Sequence, residues 1–154
     1  MDDIELRTHV GAADLLATYQ FLADSGRTRE LAGLFLPDAV YRTNTEELVG
    51  PAAIFDFFSR TAASFIAAGF LPARHHLSSV YIEPRSDGGA ASTYACFQLV
   101  GSAGVDHWGT YRDEVVSTDD GWRFARRKVK VEGHVSDSPV VGLLGLTIAK
   151  GLAQ

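Results

Sequence analysis

The chain of 154 residues carries a formal net charge of −5, with 46% hydrophobic and 21% charged residues. That length predicts one domain spanning residues 1–154, and the acidic balance argues against nucleic acid, whose binding calls for a basic face. The N-terminal segment MDDIELRTH is too polar for a signal peptide, and no run of about 18 apolar residues could cross a membrane. We therefore expect a cytoplasmic protein with no membrane partner.

The first half of the sequence predicts helices. Apolar residues at three- and four-residue spacing predict a helix over residues 10–25, which a serine-glycine pair ends. A second short helix is predicted over 28–35, followed by a short strand over 39–43. A third helix is predicted over 51–68, because proline suits a first helical turn, where its missing N–H would be unpaired anyway.

The second half of the sequence predicts strands. Runs rich in aromatic and branched residues predict them over 73–83, 90–101, 105–117 and 122–132. An Asp-Gly pair between the last two is typical of a hairpin turn. Helices followed by an antiparallel meander indicate an α+β fold, with the helices packed on one face of a bent sheet.

Large aromatic residues concentrate on the third helix and on strands that would form the concave face of the sheet. Core packing accounts for most of them, but a strongly curved sheet capped by helices seldom closes completely, and ligands bind in such openings. We therefore predict an apolar pocket for a small hydrophobic molecule. The aromatic residues considered for it are Phe55, Phe58, Phe65, Phe70, Tyr94, Phe97 and Trp108.

Basic residues cluster once, near the end of the chain. Acidic residues precede the cluster and apolar residues alternate with it, so we interpret it as the charged outer face of the last strand. Its members are Arg123, Arg126, Arg127, Lys128 and Lys130.

The first candidates for chemistry are Asp24, at the end of the first helix, and the adjacent pair His75 and His76. Consecutive strand residues face opposite sides, so only one of these histidines can face a pocket. A neutral imidazole polarised by a carboxylate is a good general base near neutral pH. The alternative interpretation makes Asp24 a solvated residue beside its turn and the histidine a structural one.

A third polar segment runs from Asp106 to Glu114, and a bulge near its glycine leaves the phase of this strand open. Its two alternative inward sets are His107, Gly109, Tyr111 and Asp113, or Trp108, Thr110 and Arg112. Adjacent histidines make a poor metal pair, and the chain has neither a nucleophile elbow nor a glycine-rich phosphate loop. We therefore expect no metal and no cofactor.

Six short motifs follow one another along nearly the whole chain. They are Tyr19-x4-Asp24, LAGLFLPDAVY from Leu31, GPAAI from Gly50, RHHLSSV from Arg74, GTYRDE from Gly109 and DDGWRF from Asp119. In this order and spacing they resemble the SnoaL-like domain of the nuclear transport factor 2-like superfamily. The resemblance implies a conical α+β barrel, in which a strongly curved, mostly antiparallel sheet wraps around N-terminal helices. It also implies a homodimer or higher homo-oligomer formed through the sheet.

Several members of this superfamily, such as scytalone dehydratase and bile-acid dehydratase, use an Asp–His pair without a cofactor. The resemblance assigns that catalytic pair to Asp24 and His75, rather than His76. A tyrosine before the aspartate, as in the bile-acid enzyme, matches Tyr19. The candidate substrate-binding residues are Tyr19, Tyr41, Phe58, His107, Trp108 and Tyr111.

The favoured function is a cofactor-independent, dehydratase-like lyase or isomerase acting on a small hydrophobic molecule, which could be cyclic or polycyclic. The alternatives are a non-catalytic small-molecule-binding or interaction domain, or the small subunit of a ring-hydroxylating dioxygenase. A separation between Asp24 and His75 above about 6 Å, without a bridging water, would favour a non-catalytic domain. The apolar tail over residues 137–154 could form a helix or a lid over the pocket mouth.

Overall fold

Helices come first in the structure and long strands follow, which confirms the predicted α+β class. The structure is a computed structural model that describes residues 1–86, 88–140 and 142. Its elements are α1 (Asp3–Asp24), α2 (Thr28–Ala32), β1 (Phe35–Arg42), β2 (Glu47–Val49), α3 (Gly50–Ala67), β3 (Arg74–Pro84), β4 (Ala90–Gly101), β5 (Gly104–Thr118) and β6 (Gly121–His134). None of the helices it describes is long and apolar enough to cross a membrane.

The strands form one mostly antiparallel sheet in the order β2-β1-β6-β5-β4-β3. Among the described strands, only β1 and β6 pair in parallel. The sheet curves around the helices without closing, because β2 and β3 remain at its two edges. In the register across β3, β4 and β5, His75 lies opposite Leu99, and Leu99 lies opposite His107. Side chains directly opposite each other share one face of a sheet, so this register brings both histidines to the same side.

Helix α1 begins earlier than the apolar pattern predicts, because a capping box starts it. The carboxylate of Asp2 accepts from the backbone N–H of Glu5 at 2.8 Å, and the Glu5 carboxylate accepts from the backbone N–H of Asp2 at 3.1 Å. These contacts satisfy backbone donors that the first helical turn leaves free. The helix buries Leu15, Leu16 and Tyr19 against the sheet.

The predicted second helix is too long. It ends at Ala32, and Phe35 begins β1 instead, so Pro37 lies inside a strand. Proline cannot donate to a strand ladder and is tolerated at irregularities. Here the register between β1 and β6 shifts between Phe35 and Val40, which accommodates Pro37.

The main core lies between α1, α3 and the concave face of the sheet. Phe35 and Phe124 stack there with ring centroids 5.0 Å apart. A smaller cluster joins Phe70 and Leu99 to Val140, from the segment that follows β6. The proposed lid over residues 137–154 falls mostly outside the described residues, which end at 140 and 142.

Candidate active site

A cavity of about 270 Å³ opens between α1, α3 and the concave face of the sheet. Its wall combines aromatic and aliphatic side chains with polar and charged ones, among them Asn44, Glu46 and Arg60. Five of the six predicted substrate-binding residues line it, and so does His75, the histidine of the predicted Asp24–His75 pair. These six lining residues are Tyr19, Tyr41, Phe58, His75, His107 and Tyr111.

Asp24 and His75 form a hydrogen-bonded pair at one end of this cavity. The Nδ1 atom of His75 lies 2.7 Å from Oδ1 of Asp24, far inside the 6 Å limit set by the non-catalytic interpretation. Both carboxylate oxygens of Asp24 also accept from the backbone N–H of His75, each at 3.2 Å. The two side chains are 15% and 21% exposed, so the pair is partly shielded from water. Asp24 does not itself line the cavity and lies behind the histidine ring.

The neighbouring histidine takes the other side of the strand. His76 is exposed and does not line the cavity, whereas His75 is half-buried and does. This placement follows the alternation of side chains along β3.

The phase of β5 places His107, Gly109, Tyr111 and Asp113 on the inner side. All four are buried, while the alternating Trp108 is 41% exposed. Of the predicted substrate-binding residues, Trp108 is therefore the one that the structure does not bring to the cavity.

Trp108 packs on the outer side of the sheet because a glycine leaves room for it there. A Cβ atom built on Gly133 would lie 2.3 Å from Cζ2 of Trp108. The register between β5 and β6 also shifts between Trp108 and Gly109, but the extra residue is Glu132 on β6, so the alternation along β5 runs unbroken from His107 to Asp113.

His107 has a carboxylate partner of its own. Its Nδ1 atom lies 2.7 Å from Oδ2 of Asp106, and both side chains are nearly completely buried. Burial lowers the pKa of His107, because it penalises the charged ring, while the hydrogen bond and charge of Asp106 oppose that shift. The positive charge of His75, when protonated, would lower the pKa of His107 further.

Three tyrosines line the same cavity. The hydroxyls of Tyr19 and Tyr41 lie 3.5 Å apart, and the Tyr111 ring stacks on Phe97 with centroids 4.6 Å apart. Burial raises the pKa of Tyr19, Tyr41 and Tyr111 above their ordinary value. All three therefore remain protonated hydrogen-bond donors near neutral pH.

A buried ion pair supports two of these tyrosines. Arg127 donates from Nε and Nη2 to Asp113 at 2.9 and 3.0 Å, and neither side chain is exposed. The guanidinium carbon lies 3.9 Å from the ring centroid of Tyr19 and 4.2 Å from that of Tyr111. Thr93 also donates a hydrogen bond to the Asp113 carboxylate at 3.0 Å.

The interpretation of Arg127 as part of a charged outer face is therefore wrong. Arg126 and Lys128 do point outward, and strand alternation then turns Arg127 inward, where a partner from β5 neutralises it. The pairing of Arg127 with Asp113 could have been predicted from the sequence only if the register between β5 and β6 had been known.

Among the described residues, no group of three histidine, cysteine or acidic side chains could hold a metal ion.

The chain is similar in sequence to one domain family and similar in fold to several solved structures. A sequence model of the SnoaL-like domain family matches residues 4–128. No curated protein sequence matches the chain. A Novosphingobium aromaticivorans protein proposed to be a scytalone dehydratase superimposes with a TM-score of 0.74 and 21% identity, over 88% of this chain and 91% of that one.

Two further structures from the same organism are similar. An NTF2-like protein with a cystatin-like fold has a TM-score of 0.72 and 22% identity, over 88% of this chain and 89% of its own. The beta subunit of a protein proposed to be an aromatic-ring-hydroxylating dioxygenase has a TM-score of 0.69 and 16% identity, over 86% and 94%. At such identities these matches describe the fold alone.

Proposed function

This chain belongs to the SnoaL-like domain family, and from that premise we propose that it is a cofactor-independent, dehydratase-like lyase or isomerase. Its substrate would be a small hydrophobic, cyclic molecule, and Asp24 and His75 would carry out general acid–base catalysis. The observation that carries this proposal is the 2.7 Å contact between Nδ1 of His75 and the Asp24 carboxylate, beside a cavity that His75 lines.

The proposed reaction begins at the His75 ring. A carboxylate only accepts hydrogen bonds, so Nδ1 of His75 carries the hydrogen and Nε2 keeps a lone pair. Nε2 would remove a proton from a carbon next to a carbonyl group of the substrate. The Asp24 carboxylate would stabilise the imidazolium that forms, and its contacts with the His75 backbone N–H would hold it in place.

The negative charge that develops on the substrate oxygen needs hydrogen-bond donors. The buried hydroxyls of Tyr19, Tyr41 and Tyr111 are suited to this task, because each remains protonated. Donors fixed in a buried site act strongly on a developing charge, since little water competes with them. The proton held by His75 would then pass to a leaving hydroxyl, giving elimination, or back to another carbon, giving isomerisation.

The size of the cavity limits the substrate. Its volume of about 270 Å³ lies just below the usual range of about 300–1,000 Å³ for ligand pockets. We therefore favour a substrate with one or two rings over a polycyclic one. Phe58 and Phe97, which line the cavity, would contact the ring faces.

A proton-exchange assay tests this proposal. A panel of cyclic ketones in D2O is followed by NMR, and we expect the protein to catalyse exchange of protons next to the carbonyl group of at least one member. His75→Gln should lower that rate about 10²–10⁴-fold, which is the usual contribution of a general base. His76→Gln is the matched control, because that exposed neighbour does not line the cavity. Full exchange activity in His75→Gln would contradict the proposal.

The second candidate is a binding subunit without catalysis of its own. Its basis is the fold that the chain shares with the beta subunit of a protein proposed to be an aromatic-ring-hydroxylating dioxygenase. Under this alternative, Asp24→Asn and His75→Gln would leave ligand binding intact and no exchange would occur in the wild type. Co-purification with a larger subunit would then identify the assembly.

We further propose that the chain forms a homodimer through the outer face of the sheet. That face presents charged side chains of both signs, such as Arg126 and Glu114, and the exposed Trp108 lies six residues away from Glu114 along β5. Light scattering of Trp108→Glu against the wild type would test this, with dissociation expected.

A further inference from the structure

A second carboxylate–histidine pair, Asp106 and His107, lies at the cavity. A residue from beyond the sheet, Ser138, contacts this pair. Oδ2 of Asp106 accepts from Ser138 Oγ at 2.9 Å and lies 2.7 Å from Nδ1 of His107. Ser138 belongs to the segment that follows β6, and the backbone N–H of Val135 holds this segment by donating to the Asp106 carbonyl at 2.8 Å. Asp106, His107 and Ser138 are 5%, 3% and 8% exposed. Three polar side chains are thus buried together at one wall of the cavity.

This arrangement fixes the tautomer of the His107 ring. A carboxylate offers no hydrogen, so the hydrogen between Asp106 and His107 belongs to Nδ1. The neutral ring then carries a bare lone pair on Nε2. Within residues 1–86, 88–140 and 142, no group hydrogen-bonds Nε2 of His107, and the ring lines the cavity. Because burial disfavours the charged ring, His107 is a hydrogen-bond acceptor near neutral pH.

We propose that Asp106 and Ser138 are positioning residues that hold His107 as an acceptor, and that this acceptor takes a hydroxyl group of the substrate. The substrate class then narrows, on the proposed function, to a cyclic carbonyl compound that also carries a hydroxyl group. Tyr19, Tyr41 and Tyr111 supply donors to the carbonyl oxygen, whereas His107 supplies an acceptor to the hydroxyl hydrogen. A ligand without that hydrogen leaves the lone pair of His107 buried and unpaired, which lowers affinity roughly 5- to 150-fold.

Nitrogen-15 NMR of histidine-labelled protein tests the tautomer directly, without any substrate. At pH 7.5 we expect the wild-type His107 ring, assigned by loss of its signals in His107→Gln, to carry its hydrogen on Nδ1. Asp106→Asn should move the hydrogen to Nε2, because an amide can donate to Nδ1 and reverse the contact. A wild-type ring with its hydrogen on Nε2 would overturn the proposal.

Ligand binding tests the consequence. The probes are 2-naphthol and 2-methoxynaphthalene, in which a methyl group replaces the hydroxyl hydrogen. Wild-type protein should bind 2-naphthol at least about 5-fold more tightly, and Asp106→Asn should remove most of that preference. Equal affinities in the wild type, or a preference unchanged in Asp106→Asn, would overturn the assignment.

The contribution of Ser138 is measured against a control on the same segment. Ser138→Ala should reduce the 2-naphthol preference, Ser138→Thr should restore it, and Ser136→Ala should leave it unchanged because Ser136 is exposed. If Ser138→Ala keeps the full preference, Ser138 is not a positioning residue. The two proposals fail separately, since His75→Gln leaves the His107 tautomer intact while Asp106→Asn leaves the His75–Asp24 contact intact.

Discussion

Replacing Arg127 with methionine would leave a carboxylate buried without its charged partner. In the wild type, Asp113 accepts two hydrogen bonds from Arg127 and one from Thr93, and neither member of the ion pair is exposed. Breaking a buried pair by removing one partner costs about 3–5 kcal/mol. Since domains are usually stable by only about 5–15 kcal/mol, Arg127→Met should lose a large part of the free energy of unfolding.

The loss should depend on pH in a defined direction. Burial raises the pKa of Asp113, and Arg127 is what opposes that shift. Without Arg127 the folded-state pKa rises further above the unfolded value of about 3.9, so the folded variant binds an extra proton. The stability that this proton contributes is fully present below the unfolded pKa and is lost as the pH rises through the folded pKa. Each unit of separation is worth about 1.4 kcal/mol.

Urea unfolding followed by circular dichroism at pH 5 and pH 8 measures both effects. Arg127→Met should be destabilised more at pH 8 than at pH 5. The matched control is Arg126→Met, whose side chain is 63% exposed and lies 3.9 Å from Glu114, so it should cost less than about 1 kcal/mol. Adding Asp113→Asn to Arg127→Met removes the second buried charge. The double variant should recover at least half of the free energy of unfolding that Arg127→Met loses. A cost below about 1 kcal/mol for Arg127→Met at pH 8, with no pH dependence, would refute this reasoning.

Two other changes have expected outcomes. Gly109→Ala would place its Cβ 1.9 Å from the carbonyl oxygen of Lys130, so β5 and β6 must separate locally, at a cost of about 1–3 kcal/mol in urea unfolding. Gly142→Ala, whose Cβ would meet no atom of the described residues within 4 Å, is its control, and equal stabilities of the two variants would contradict the close approach. Because burial lowers the pKa of His107, its neutral ring favours the folded state above the unfolded pKa of about 6.5, and this contribution is lost as pH falls through the folded pKa. His107→Gln should therefore lose less stability than the wild type between pH 7 and pH 5, and parallel pH profiles would argue against a lowered pKa.

The order of helices and strands was predictable because its signals are local. Periodic apolar residues, a serine-glycine stop and an Asp-Gly turn each act within a few residues. Pro37 shows the limit of such signals. It indicates the end of a helix when considered alone, whereas pairing with a distant strand draws it into β1.

The candidate site was only partly predictable, because its parts depend on strand register. Whether His107 or Trp108 faces the cavity depends on how β5 pairs with β4 and β6, and both pairings shift register close to these two residues. The contact of Ser138 with Asp106 joins residues far apart in the sequence, and no local pattern marks it. Asp24 and His75 were found because a resemblance, rather than a spacing rule, connects the end of α1 to the start of β3.

The parallel pairing of β1 with β6 has a consequence for how the protein is made. Phe35 of β1 stacks on Phe124 of β6, so this part of the core cannot form until the last strand has left the ribosome. At about 5–20 residues per second, synthesis of the intervening chain takes several seconds. During that time the apolar faces of α1 and β1 lack the cover that β6 gives them in the folded protein. Nascent chains released before Gly121 should therefore aggregate rather than fold, which makes the final strand the step that commits this protein to its native state.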